Sequence, residues 1–292
     1  MWLEMRPRQW VKNGLCFAAL IFAGRVTAWS LWPATVEVAL ALCLLSSGVY
    51  VLNDLFDIER DRLNPIKNHR PLAAGHLSAR VASLMALGLL LSGEGVLLRI
   101  GWGEALVGAL YMGNSIIYTV WLKHAVLIDV LSLGVGYCLR AYVGGLATGI
   151  QISPWLIVML LMATVFMSVG KRRTELVAKE SSPHDGSRRV LVQYSRPLLE
   201  TYSTVLVAPL LALYAVWANG AASSGRLILT VPFVLYGTMR YLWLLERPGA
   251  KVNPDELLIG DVPSLVNLGL WVATCAVLLL PGAAKWLGGL RL

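Results

Sequence analysis

The residues best suited to chemistry lie in the string NDLFDIERD, at positions 53–61. Asp54, Asp57 and Asp61 are spaced i, i+3 and i+7, and Asn53 lies four positions before Asp57. If one helix continues through the string, this spacing places the side chains on one face. Converging carboxylates repel one another unless a cation joins them, and such oxygen ligands suit Mg²⁺, which also binds substrate phosphate. The string therefore predicts a catalytic magnesium site made by Asp54, Asp57 and Asp61, with Asn53 beside them.

Basic residues follow this acidic string closely. Over positions 53–75, four acidic residues are matched by four basic ones, among them Lys67 and Arg70. A metal–diphosphate site requires carboxylates that bind the metal ion and, next to them, cations that bind the phosphate groups. Pro65 and Pro71 favour an ordered turn after the string, because proline fixes one backbone angle. The alternative is a solvated helix at a membrane surface, whose charges only form ion pairs with one another.

The elements that must position these residues are membrane-spanning helices. The chain has 292 residues, of which 57% are hydrophobic and 14% charged, whereas soluble domains carry about 25% charged residues. This composition excludes an ordinary cytosolic enzyme, and the long continuous apolar runs exclude a transmembrane barrel. The sequence predicts an all-α integral membrane protein with a single domain, 1–292. Nine spans are expected, at roughly 14–30, 35–54, 80–98, 104–121, 126–149, 154–170, 198–218, 227–245 and 263–282.

The basic residues predict the orientation of these spans. With the N-terminus inside, 19 of the 25 Lys and Arg residues fall in cytoplasmic segments and 5 in outside segments. This asymmetry predicts a protein of the cytoplasmic (inner) membrane with a cytoplasmic N-terminus and an outside C-terminus. The net charge of +8 is then a topology signal, and no nucleic-acid partner is expected. The long polar loops, 55–79 and 171–197, both face the cytoplasm, which favours an enzyme over a transporter.

Arg140 and Asp129 are the most informative charged pair within a predicted span. They are 11 residues apart, which is about three helical turns, so they share a helix face. An arginine at membrane depth is costly and usually faces an interior cavity. Arg140 is expected either to line a substrate pocket or to pair with an acidic residue. Lys12 and Lys123, at predicted span ends, are topology signals on the sequence alone.

The acidic string resembles the first Asp-rich motif, NDxxDxxxD, of the UbiA superfamily of intramembrane prenyltransferases. The longer string NDLFDIERDRLNPIKNHRPLAAG is similar to one branch, the decaprenyl-phosphate phosphoribosyltransferases. Further segments resemble that branch: RPRQWVKN at 6–13, Tyr118 to Lys123, Asp129 to Gly145, and GKRRTE at 170–175. The resemblance runs from about residue 5 to residue 180. A weaker match follows at 254–261.

The resemblance implies nine helices around a central cavity that opens to the cytoplasm. It also implies Mg²⁺-dependent transfer of the 5-phosphoribosyl group from 5-phosphoribosyl diphosphate (PRPP) to a polyprenyl (decaprenyl) phosphate, with release of diphosphate. This step would lead toward a lipid-linked arabinose donor for cell-wall arabinan. The partners expected are PRPP, the polyprenyl phosphate lipid and the bilayer, and the sequence also admits a homo-oligomer. The substrate-binding residues expected on this basis are Lys12, Asn13, Lys67, Arg70, Tyr118, Lys123, Arg140, Lys171, Arg172 and Glu175.

The chain departs from typical aromatic prenyltransferases of the superfamily after the sixth predicted span. Those enzymes carry a second Asp-rich motif there, whereas this chain has Lys171, Arg172 and Arg173 with one acid, Glu175. Cations suit direct binding of an anionic group, which favours two phosphate-rich substrates. The alternative is that these cations only mark the cytoplasmic end of the helix, as the positive-inside rule predicts. A UbiA-type prenyltransferase with an aromatic or other small acceptor, and a transporter or lipid-phosphate binding protein, also remain open.

Overall fold

The computed structural model describes residues 2–64, 67–181, 189–220, 225–247, 257–258 and 260–279. The regular secondary structure of these residues is helical. The α-helices, in chain order, are α1 (Ala18–Phe22), α2 (Trp32–Phe56), α3 (Ile58–Leu63), α4 (Ala79–Ile100), α5 (Trp102–Val120), α6 (Ile128–Thr148), α7 (Pro154–Ser181), α8 (Arg196–Gly220), α9 (Val231–Leu245) and α10 (Val262–Leu279). Short 3₁₀ helices cover Pro7–Phe17, Trp29–Leu31, Leu122–His124, Arg189–Gln193 and Arg226–Thr230. The predicted all-α class is confirmed.

Seven helices of the described residues are long and apolar enough to cross a membrane. They correspond to seven of the nine predicted spans. The predicted span 14–30 instead contains the end of the 3₁₀ helix Pro7–Phe17 and the five-residue α1, which is followed by Gly24 in a left-handed conformation. The predicted span 104–121 forms α5, but its polar residues, such as Glu104 and Asn114, reduce its apolar character. The count of nine therefore stays a prediction.

The helices divide into two compact units. The first unit comprises Met1–Ala19, Ala28–Gln151 and Lys179–Gln193, and the second comprises Leu20–Thr27, Ile152–Ala178 and Tyr194–Leu292. The acidic string belongs to the first unit, and Lys171, Arg172 and Glu175 belong to the second.

In the first unit, α2 packs along α4, and small residues allow the close approach. A Cβ atom at Gly48 would lie 2.7 Å from Leu90, and one at Gly93 would lie 2.8 Å from Leu45. The 3₁₀ helix Pro7–Phe17 packs on α2 and α6, and α5 packs between α4 and α6. The core that these elements share contains Cys16, Val38, Ala41, Leu42, Leu45, Leu97, Ala105, Val107, Tyr111 and Val143.

Residues 67–77, before α4, form a series of turns. Backbone hydrogen bonds join Lys67 to Asn64, Arg70 to Lys67 and Ala74 to Arg70. Leu72, which is 1% exposed, anchors the segment in an apolar cluster with residues of α2 and α4. Because Leu72 is fixed in this cluster, Arg70 is held beside the end of α2.

The second unit contains α7, α8, α9 and α10 around two apolar clusters. Asp261 fixes the start of α10, because its Oδ2 accepts hydrogen bonds from the backbone N–H and the hydroxyl of Ser264, at 3.0 and 2.7 Å. Arg240 of α9 donates two further bonds to the same carboxylate, at 3.0 and 2.8 Å. These bonds lower the pKa of Asp261 below its usual range, with the bond from Arg240 as the main cause. Residues 254–256 and 259 of the late sequence match lie outside the described residues.

Candidate active site

The acidic string does not continue as one helix. α2 ends at Phe56, Asp57 adopts a non-helical conformation (φ −102°, ψ 9°), and α3 begins at Ile58. The expectation that the three aspartates share the face of a single helix is therefore corrected. The contacts of the three aspartates divide them into a pair, Asp54 and Asp61, and a single residue, Asp57.

Asp54 and Asp61 form the pair, and Arg70 joins them. Nη1 of Arg70 donates to Oδ1 of Asp54 at 2.8 Å and to Oδ2 of Asp61 at 2.5 Å. Both aspartate side chains are 2% exposed. Nη2 of Arg6 donates to both oxygens of Asp54, at 2.5 and 2.6 Å, and Nζ of Lys67 lies 3.7 Å from Asp61. Two buried carboxylates thus converge on one cationic group, and further cations surround them.

Asp57 has a different set of partners. Nζ of Lys123, a residue that is 6% exposed, donates to both of its oxygens, at 2.7 and 2.9 Å. Arg60 lies 3.5 Å from the same carboxylate. Asn53 accepts a hydrogen bond of 3.4 Å from the hydroxyl of Thr119 on α5. Lys123, which the resemblance implies is a substrate-binding residue, therefore links the 3₁₀ helix after α5 to the end of α2.

The donor chemistry of the pair fits a divalent cation. Mg²⁺ is usually bound through one or two carboxylates, with waters and substrate phosphate completing its shell. Asp54 and Asp61 already converge on a single cationic nitrogen, so the same oxygens could hold a metal ion. Burial raises the pKa of Asp61, while the Arg70 and Lys67 charges oppose this rise. Within the described ranges, no three His, Cys, Asp or Glu side chains are grouped for a shared metal.

Arg6 contacts Asp54, and Glu4 is close enough to Asp54 to feel its charge; the sequence reasoning assigned neither residue to the site. It counted Arg6 toward topology only, although Arg6 opens the string RPRQWVKN that carried part of the resemblance. The segment is held on α2 because Ser47 donates to the carbonyl of Met5 at 2.9 Å and accepts from Trp10 at 3.0 Å. Glu4 is 1% exposed, and its Oε1 has no hydrogen-bond partner. Burial, and then the negative charge of Asp54, raise the pKa of Glu4.

Arg140 is buried on α6 among neutral groups. Its guanidinium donates to Oδ1 of Asn13 at 3.0 Å, to the carbonyl of Gly136 at 2.9 Å and to the hydroxyl of Tyr111 at 2.8 Å. It also lies over the rings of Tyr111 and Tyr137, at 4.6 and 5.2 Å from their centroids. None of the three hydrogen-bond acceptors carries a negative charge, so these bonds leave the charge of Arg140 uncompensated.

Asn13 is held by the same group of residues. It is 1% exposed, and its Nδ2 donates to Ser46 at 3.1 Å and to Cys43 at 3.3 Å. Its amide therefore fixes Arg140 against α2. Lys12 and Tyr118, the other residues predicted near the mouth of the site, are both partly exposed.

The basic cluster of α7 lies in the second unit and contains more acid than the sequence indicated. Arg172, which is fully buried, donates to Glu175 at 2.5 Å. Arg173 pairs with Glu200 of α8 at 3.0 Å and with Glu246 after α9. These two glutamates are distant in sequence, so local spacing gave no signal for them. Lys171, which is partly exposed, precedes this pair of arginines.

The helical fold and the aspartates clustered at the end of α2 agree with a family of membrane-bound transferases. The chain matches the UbiA prenyltransferase family over residues 14–253 and belongs to that family. A solved UbiA homologue from Archaeoglobus fulgidus, bound to GPP and Mg²⁺, has the same fold. Its TM-score is 0.73 at 17% identity, and the match covers 94% of this chain and 97% of that one.

Curated relatives are similar over nearly the whole chain. The decaprenyl-phosphate phosphoribosyltransferase of Corynebacterium glutamicum is 32% identical, and the match covers 92% of this chain and 83% of the relative. The enzyme of the same name from Mycolicibacterium smegmatis is 30% identical, covering 92% of this chain and 89% of the relative. The resemblance that the sequence motifs indicated is therefore confirmed.

Proposed function

We propose that this protein transfers the 5-phosphoribosyl group of PRPP to decaprenyl phosphate and releases diphosphate. The observation that carries the proposal is the similarity, at 30–32% identity over 92% of the chain, to enzymes named decaprenyl-phosphate phosphoribosyltransferase. The cation-rich surroundings of the acidic pair agree with it, because PRPP brings three phosphate groups to the site. The protein is accordingly a transferase of the UbiA family.

The carboxylates at the end of α2 are proposed to hold Mg²⁺. Asp54 and Asp61 would be its ligands because they already converge, and Asp57 is the third carboxylate assigned to this role. The Mg²⁺ bound to the solved homologue supports this assignment. When bound, the ion would neutralise charge on the diphosphate.

The cations that now pair with these aspartates are proposed to bind phosphate oxygens. Arg70, Lys67 and Lys123 each engage a carboxylate in the structure, and each can exchange that partner for an anionic substrate group. Arginine suits this exchange because its planar fork matches a phosphate in two places. Arg140, whose guanidinium is held by neutral acceptors, supplies a further positive charge, and Asn13 orients it.

The remaining predicted residues are proposed to contact the two substrates. Lys171 and Arg172 are proposed to bind the lipid phosphate, with Glu175 holding Arg172 in place. Lys12 and Tyr118, which are partly exposed, are proposed to contact the substrates at the mouth of the site. This proposal predicts that charge-removing variants of Lys171 raise KM for decaprenyl phosphate more than KM for PRPP.

The chemistry needs no strong general base, because a lipid phosphate is already anionic near neutral pH. Its oxygen forms a bond to C1 of the ribose while the bond from C1 to the diphosphate oxygen breaks. Positive charge develops at C1, so the residues act mainly by positioning the two substrates and stabilising the leaving group.

The proposal also includes the membrane arrangement. Nine spans, a cytoplasmic N-terminus and active-site cavity, and an outside C-terminus are proposed for a protein of the cytoplasmic membrane. The excess of Lys and Arg in the segments assigned to the inside supports this orientation. The ribosyl lipid would serve as a precursor of a lipid-linked arabinose donor.

A substrate comparison tests the proposal. The purified full chain is supplied with labelled PRPP and decaprenyl phosphate, and separately with a prenyl diphosphate and 4-hydroxybenzoate. Labelled ribosyl lipid in the first reaction only is the expected result. Product in the second reaction only would replace the proposal with a UbiA-type prenyltransferase of aromatic acceptors, and ligand binding without any product would indicate a transporter or binding protein.

A further inference from the structure

We propose that Glu4 is a positioning residue that accepts the guanidinium of Arg6 when Asp54 binds a divalent cation. This inference rests on the proposed function, because it needs the cation at Asp54. It assigns Glu4 a role in the site and gives Arg6 two alternative acidic partners.

The first observation is the state of Glu4. The residue is 1% exposed, and its Oε1 is buried without a hydrogen-bond partner. A buried carboxylate oxygen without a donor is unfavourable, so it calls for an explanation. Among the described residues, the only other carboxylate oxygen in this condition belongs to Glu94 of α4. Glu4 differs from Glu94 because it interacts electrostatically with Asp54, Arg6 and Arg70.

The second observation is the contact between Arg6 and Asp54. One nitrogen of Arg6 bonds both oxygens of Asp54, at 2.5 and 2.6 Å, and the guanidinium lies 5.0 Å from the ring centroid of Tyr50. Arg6 also adopts a left-handed backbone conformation (φ 53°), which is uncommon for a residue other than glycine. A cation bound by Asp54 competes with this contact, because Arg6 lies on both carboxylate oxygens and its positive charge repels a second cation there.

Glu4 is suited to receive the displaced side chain. It lies two residues before Arg6, and its unpaired oxygen can accept the N–H that leaves Asp54. The backbone need not move, because Ser47 holds the segment through Met5 and Trp10 on either side of Arg6. The exchange replaces one charge-assisted hydrogen bond with another, so it lowers the cost of cation binding at Asp54.

Binding of Mn²⁺ to the full chain in detergent, without PRPP, tests the proposal by electron paramagnetic resonance. The variants are Glu4→Gln, Glu4→Ala, Arg6→Ala and the double variant Glu4→Ala/Arg6→Ala. Glu37→Gln, on the same helix as Asp54 and partly exposed, is the matched control for loss of one negative charge. Glu4→Gln keeps the shape of the side chain in case Glu4→Ala does not fold.

The expected result is a dependence on Arg6. Removing Glu4 should weaken Mn²⁺ binding about tenfold when Arg6 is present, and should change it less than twofold when Arg6 is absent. Equal weakening in both backgrounds would show that Glu4 acts on the cation directly, and unchanged binding in Glu4→Ala and Glu4→Gln would show no role; either result overturns the proposal. Retention of Mn²⁺ binding in Asp54→Asn would instead overturn the cation site of the proposed function.

Discussion

Arg70 joins two buried carboxylates, and replacing it with methionine removes the positive charge while keeping an apolar side chain. Breaking a buried ion pair costs about 3–5 kcal/mol. Here the Arg70 side chain is 26% exposed, and Arg6 and Lys67 still neutralise the two aspartates. We therefore expect Arg70→Met to lower the free energy of unfolding by about 2–3 kcal/mol.

A second substitution tests the cause of this loss of stability. The instability of Arg70→Met should arise from the uncompensated charge of Asp61, whose side chain is 2% exposed. Arg70→Met/Asp61→Asn should therefore regain at least half of the lost stability. Thermal unfolding in detergent measures both effects, and the single variant should lose roughly 5–10 °C. An unchanged midpoint in the single variant, or a double variant that is less stable than the single one, would refute this account of the cluster.

Three further predictions concern other contacts. Lys123→Met should reduce turnover more than tenfold, because Asp57 loses the bidentate contact at 2.7 and 2.9 Å, and Lys123→Met/Asp57→Asn should recover stability in thermal unfolding but not turnover. Gly144→Ala should destabilise the protein by about 2 kcal/mol or more, because its Cβ would overlap the backbone of Cys16; Gly88→Ala, which meets no atom within 4 Å, is the control and should be nearly neutral. The pKa of Asp261 is lowered in the folded state, mainly by Arg240, so its contribution to stability is present above the unfolded pKa of about 3.9 and is lost as pH falls below that value. Unfolding measured between about pH 5 and pH 2 should show this loss, and Asp261→Asn should show less of it than the parent protein.

The class of fold could be predicted because it depends on local sequence, and the acidic string that forms the candidate site is itself a local pattern. Long apolar runs specify membrane helices by length alone, and seven of the nine expected spans are helices capable of crossing a membrane. The acidic string ends α2 as expected. Asp54 and Asp61 do converge, although through Arg70 and a break in the helix rather than along one helix face.

The parts that could not be predicted depend on residues that are distant in the chain. The non-helical conformation of Asp57 accompanies its contact with Lys123, 66 residues later. Glu200 and Glu246 join Arg173 from two other elements. Arg6 contacts Asp54 because the N-terminal segment packs on α2, and no local pattern specifies such packing.

The most direct test of the central claim is the rate of diphosphate release from PRPP and decaprenyl phosphate in single variants of the metal-site aspartates. If Asp54 and Asp57 belong to a site that holds the leaving diphosphate through a divalent cation, each alanine variant should fold and lose about 10²–10³-fold in rate. The remaining activity should no longer respond to added Mg²⁺. Near-normal, Mg²⁺-dependent rates in both Asp54→Ala and Asp57→Ala would contradict the claim.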